Sequence, residues 1–130
     1  MTSVLAGELA GAVAVVHLLA VALLLSGALL SLRWPRLLPV HLVVAGSILA
    51  VNLAGADCPL TDLEQALRDV AGETPYSGGF ISHYLIEPWH PDGITRGVSL
   101  GIYAVALAPN LLGAALLTRA SRRRSAQALA

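Results

Sequence analysis

Ten polar side chains in an otherwise oily chain could do chemistry. His17 and His41 stand inside long uncharged runs, and Ser26, Asn52, Tyr103 and Asn110 stand in the same kind of setting. Cys58, His83, His90 and Asp92 lie in the charged stretch between two of those runs. Imidazole is a common axial ligand of haem, so two histidines at membrane depth raise a bis-histidine redox centre. Counting about 1.5 Å per residue from the midpoint of each run puts His17 and His41 roughly 13 Å apart in depth, which argues against one haem shared by that pair. His17 with His83, joined by Cys58, escapes the objection and is the haem or metal alternative. Cys58, His83, His90 and Asp92 offer zinc-compatible donors but lack the paired spacing of a structural zinc motif. Interhelical hydrogen bonds, His17 to Asn52 and His41 to Asn110, are the simpler use of these groups. On depth they sort into an outer layer of His17, Asn52 and Tyr103 and an inner layer of Ser26, His41 and Asn110.

The elements that must position them follow from the charges. Leu9–Leu32, Leu37–Ala56 and Gly97–Thr118 are uncharged runs of 24, 20 and 22 residues, each near or above the roughly 20 that a helix needs to cross a hydrocarbon core. The predicted fold is an all-α membrane protein with three transmembrane helices at about 9–32, 37–56 and 97–118. Its composition agrees: 56% apolar and 12% charged residues, with a mean hydropathy of +0.73, exceed what one soluble core of 130 residues could hide. The net charge of zero gives no sign of nucleic-acid binding. One cysteine excludes an internal disulfide.

Arg33 and Arg36 lie in one short turn, and Arg119, Arg122, Arg123 and Arg124 in the basic tail 119–130. Basic segments stay in the cytoplasm, so the expected topology has the N-terminus outside and the C-terminus inside a cell (inner or plasma) membrane. The loop 57–96 is then external, with seven acids against two arginines. Within it Thr61-Asp-Leu-Glu64 reads as a capping box opening a helix over about 62–71. Leu63, Leu67 and Val70 form its apolar stripe, Glu64 and Arg68 pair across one turn, and Gly72 stops it. A second short helix is expected at about 80–87, with Phe80, Ile81, Tyr84 and Leu85 on one face. Most of the aromatic residues fall in this loop, which suits the headgroup layer. Gly97 and Gly101 form a small-xxx-small pair for helix packing.

The segments Cys58-Pro-Leu-Thr-Asp-Leu-Glu64, Tyr76-Ser-Gly-Gly-Phe-Ile-Ser-His-Tyr-Leu85 and Pro91-Asp-Gly-Ile-Thr-Arg96, with His17, the Arg-Trp-Pro-Arg turn and His41, resemble the small bacterial integral membrane proteins of the family named domain of unknown function 2784. The resemblance implies a membrane location and a compact multi-helix architecture, and supplies no activity. No phosphate loop, nucleophile elbow or dinucleotide fingerprint is present. The leading expectation is a non-enzymatic accessory or scaffold subunit, without a cofactor, in contact with membrane lipid and with other integral membrane subunits or itself. The alternatives are the haem or metal protein on His17 and His83, and a protein that binds lipid or quinone between its spans.

Overall fold

The computed structural model describes residues 1–129. It holds four α-helices, α1 (Ser3–Arg33), α2 (Leu37–Leu53), α3 (Pro59–Ala71) and α4 (Arg96–Ala128), with a π-helical turn at Ser82–Ile86. No strand occurs among the described residues.

Local chemistry accounts for most boundaries. The Thr2 hydroxyl accepts a bond from the Leu5 N–H at 3.4 Å, so α1 opens six residues before the expected start of the first span. The Thr95 hydroxyl caps α4 in the same way through the Val98 N–H at 3.3 Å. Gly72 closes α3 with φ +80°, a conformation that costs glycine nothing and other residues a good deal.

Three expectations need correction. The second span ends at Leu53, ahead of Gly55 with φ +62°, and not at Ala56. Its 17 residues cover about 25 Å. The tail beyond Thr118 continues α4 as helix to Ala128. The capping box does not form. Helix α3 begins three residues earlier, with Pro59 in its first turn and Cys58 in the extended N-cap position, because proline has no N–H to lose there. Thr61 is thereby carried inside the helix, where its hydroxyl has no partner.

Helix α1 is the hub: α2, α3 and α4 each pack on it, and none of the three packs on another. The short turn after Arg33 folds α2 back along α1. Asn110 meets Leu24 and Gly113 meets Ala28, so α4 runs in the same direction as α1. Cys58 meets His17 and Ala71 lies near Gly7, so α3 runs against the first half of α1. Two glycines set the distances. A Cβ on Gly27 would run into the His41 ring, and one on Gly113 would stand 2.7 Å from Ala28 Cβ and 2.8 Å from Ala28 backbone. Gly101 has nothing within 4 Å, and Gly97 has only Thr95 Oγ1 of its own segment at 3.9 Å. The close approach in this chain belongs to Gly27 and Gly113.

Helices α1 and α4 are long and apolar enough to cross a membrane, and only 22% and 6% of their most apolar stretches are buried.

Candidate functional site

The polar residues collect where the first half of α1, the start of α3 and the segment 76–87 converge. Helix α3 buries two polar residues and leaves Asp62 and Asp69 exposed. Glu64 is fully buried and Thr61 is 5% exposed, whereas Leu63 and Val70 of the expected apolar stripe are about half exposed. Leu63 and Val70 thus turn outward, while Leu67 between them is half-buried.

Glu64 sits at the centre of a satisfied network. Its Oε1 accepts from Arg68 Nε at 3.0 Å and from the Tyr84 hydroxyl at 2.6 Å, and its Oε2 accepts from the Tyr76 hydroxyl at 3.1 Å. Arg68 also donates to Tyr84 Oη at 2.6 Å and to Glu73 at 2.6 Å. These bonds to charged groups are the strong class and fix the loop to α3. Burial, and then the Glu64 carboxylate beside them, push the Tyr76 hydroxyl well above the ordinary tyrosine range and raise that of Tyr84. Burial opposes the Arg68 charge, yet the hydrogen bonds and attraction to Glu64 and Tyr84 hold its guanidinium more firmly protonated than usual.

The π-helical turn positions the aromatic wall. The bond from Glu87 N–H to Ser82 C=O, 2.8 Å, spans five residues and widens the turn. It turns Phe80 and Tyr84 inward, their rings 4.7 Å apart, while Leu85 stays exposed. Phe80 stacks on His17 at 4.0 Å. Tyr76 stacks on His83 at 4.0 Å.

Next to this network, His17 Nε2 lies 3.6 Å from Cys58 Sγ. His17 is 8% exposed, and its Nδ1 has no partner; nor has Thr61 Oγ1. Buried polar groups are nearly always bonded, so two orphans on residues of one cleft invite a ligand. Both residues line a cleft of about 860 Å³ walled by α1 (Ala20, Val21, Leu24), α2 (Val43 to Asn52), the start of α3 and Phe80. That volume lies within the range of small-molecule sites. The lining includes Asp57 and Asp62 and no arginine.

The remaining sequence candidates fall elsewhere or act differently. Asn52 lines the cleft, but its amide bonds its own helix at Ile48 C=O, 2.9 Å, and not His17. Tyr103 is 61% exposed, away from the outer layer. In the inner layer His41 and Asn110 do not bond each other. His41 Nδ1 lies 3.1 Å from Leu23 C=O, and Asn110 donates to Leu24 C=O at 2.8 Å, so each ties its helix to an adjacent carbonyl of α1. Ser26 bonds the Ala22 C=O of its own helix. His83 points to Glu87, 3.4 Å, while His17 pairs with Cys58. Among the described residues no three His, Cys, Asp or Glu side chains gather within reach of one metal ion, so His17, His83 and Cys58 do not form a ready-made metal site. His17, Cys58, Thr61, Glu64, Arg68, Tyr76, Phe80 and Tyr84 make the site; the sequence singled out His17, Cys58 and the 64/68 pair, and offered Thr61, Phe80 and Tyr84 only as parts of short helices.

A family model described as Protein of Unknown function (DUF2784) matches residues 8–115. No curated protein and no solved structure matches the chain.

Proposed function

The chain belongs to the DUF2784 family, and on that premise we propose that it is a three-span integral membrane protein whose outer half binds a neutral amphipathic lipid. Two long helices with apolar faces left exposed support a lipid surround, since water would penalise that surface. Helix α3 turns Glu64 inward and Leu63 and Val70 outward, with Asp62 and Asp69 exposed beside them, a mixed face that suits the headgroup layer. The 17-residue α2 serves as the short third span, a mismatch that tilting or local thinning absorbs. Because α4 runs with α1, and Asn110 is level with Leu24, Arg119 falls level with Arg33 at about 1.5 Å per residue. Both basic clusters then share one end, which is the cytoplasmic end under the positive-inside rule, and the cleft lies toward the other.

The observation that carries the binding reading is the pair of unpartnered groups, His17 Nδ1 and Thr61 Oγ1, in a cleft with an apolar wall. A carbonyl or hydroxyl head would satisfy them and a hydrocarbon tail would lie along Val43, Val44, Ile48, Val21 and Leu24. Two lining carboxylates and no lining arginine favour a neutral head over an anionic one. An accessory-subunit role draws instead on the open faces of Gly97 and Gly101, which a helix of another subunit would cover.

Photolabelling tests the reading. A diacylglycerol carrying a diazirine in its acyl chain should label segments 17–24 and 43–52 of the purified protein. Ser47→Trp, which fills the cleft from α2, should remove that label and leave labelling of α4 unchanged. Labelling confined to α4, or indifferent to Ser47→Trp, overturns it.

A further inference from the structure

Four features needed for acyl transfer meet at one end of the cleft. Cys58 Sγ supplies a nucleophile, and His17 Nε2, 3.6 Å away, supplies the base. Phe80 stacked on the imidazole holds that ring in place. Cys58 occupies the N-cap of α3, where the positive end of the helix dipole stabilises negative charge. The first helical bond of α3 runs from Asp62 N–H to Cys58 C=O, 3.1 Å. The Leu60 and Thr61 N–H groups precede it and have no intrahelical acceptor. Pro59 contributes no N–H, so these two are the donors available to an oxygen beside the thiol. The Thr61 hydroxyl, 5% exposed and unpartnered, lines the same cleft and is a third donor. A thiol, a base and unpartnered donors beside an apolar wall are what a site for acyl esters requires.

We propose that Cys58 is an acyl-accepting nucleophile, activated by His17, whose substrate is a neutral acyl ester held in the cleft. This deepens the binding reading above and rests on it. The Cys58 S–H proton passes to His17 Nε2 as sulfur attacks the ester carbonyl carbon. The C–S bond forms, and the carbonyl oxygen takes up negative charge facing the Leu60 and Thr61 N–H groups and the Thr61 hydroxyl. The C–O bond then breaks, and the leaving alkoxide takes the proton from His17 and departs as an alcohol. Cys58 is left as a thioester. Attack by water or by the hydroxyl of an acceptor lipid returns the thiol and releases the acyl group as acid or new ester. No oxidant or reductant enters either half.

The test uses the full-length protein in dodecyl maltoside with 4-nitrophenyl decanoate. A burst of nitrophenolate equal to the protein concentration is expected. One decanoyl group should be found on the Cys58 peptide, removable by neutral hydroxylamine. Cys58→Ala, or prior blocking of the wild-type thiol with N-ethylmaleimide, abolishes the burst. His17→Gln slows it by about a hundredfold or more, the usual worth of a general base. Absence of a burst, an adduct elsewhere, or an unchanged rate in His17→Gln overturns the proposal. The diazirine lipid separates the two claims. Cleft labelling without acylation of the wild type sinks the nucleophile and leaves lipid binding standing, whereas loss of cleft labelling sinks both. Retained cleft labelling in Cys58→Ala shows that the variant is folded, so that its missing adduct reports on chemistry.

Discussion

Gly113→Ala should separate α4 from α1. The added Cβ would stand 2.7 Å from Ala28 Cβ, 2.8 Å from the Ala28 carbonyl carbon and 3.0 Å from Leu29 N. Two of these are backbone atoms, which cannot rotate away as a side chain can. Restoring ordinary contact at about 3.6 Å requires the helices to part by roughly 0.9 Å, and overpacking of this kind typically costs 1–3 kcal/mol. One turn earlier the Asn110 to Leu24 bond of 2.8 Å would stretch beyond hydrogen-bond range, adding about 0.6 kcal/mol in a membrane setting. The gain in helix propensity from glycine to alanine, up to about 1 kcal/mol, offsets part of this. A net loss of about 2 kcal/mol is expected. Gly101→Ala is the matched control: it has the same propensity gain on the same helix, with nothing within 4 Å of the new methyl, so it should be neutral or slightly stabilising. Titration with sodium dodecyl sulfate from dodecyl maltoside micelles, followed by near-ultraviolet circular dichroism of the tyrosines, measures both. Equal stability of the two variants, within about 0.5 kcal/mol, would refute the assignment of the α1–α4 contact to Gly113.

Arg68→Met should cost about 3 kcal/mol in the same titration, because it leaves the fully buried Glu64 without its cation; the double variant Arg68→Met with Glu64→Leu should recover part of that loss, and a double variant weaker than Arg68→Met alone would count against the pairing. Tyr76 and Tyr84 predict an alkaline limit. Their ionisation is pushed up in the folded state, so their contribution is fully present below about pH 10, the ordinary tyrosine value, and is lost as pH rises through the folded values. Absorbance at 295 nm should show these two ionising late and together with unfolding; titration of all three tyrosines near pH 10 in the folded protein contradicts it. For topology, a Cys58→Ser background carrying Ser77→Cys should react with an impermeant maleimide in intact cells, and one carrying Ala126→Cys only after permeabilisation; the reverse pattern inverts the proposed orientation.

Much of the architecture was legible because charge placement and helix length are one-dimensional quantities. The gaps between Glu8, Arg33, Arg36, Asp57, Arg96 and Arg119 mark the three long helices to within a few residues at most of their ends. The 64/68 spacing gave an ion pair, found at 3.0 Å, and Gly72 gave the end of α3. The start of α3 was misread, since both Pro59 and the Thr61–Glu64 pattern are helix-start signals and only the route of the chain past His17 chose between them. Depth counting grouped His17 with Asn52 and His41 with Asn110, but depth carries no azimuth, and the helices place Asn52, His41 and Asn110 against backbone carbonyls and His17 against Cys58.

The sequence by itself determined the apolar helices, the basic ends, the pairing of Glu64 with Arg68 and the family, because each is carried by residue type and local spacing. Only the tertiary structure decided which side of α3 turns inward, and that decision creates the site. Alone, α3 reads as an amphipathic helix that should bury Leu63 and Val70. Packed on α1, it buries Glu64 and Thr61, because Arg68, Tyr76 and Tyr84 arrive from one turn, 12 residues and 20 residues away to satisfy the carboxylate. The same packing sets Cys58 beside His17, 41 residues distant in the chain.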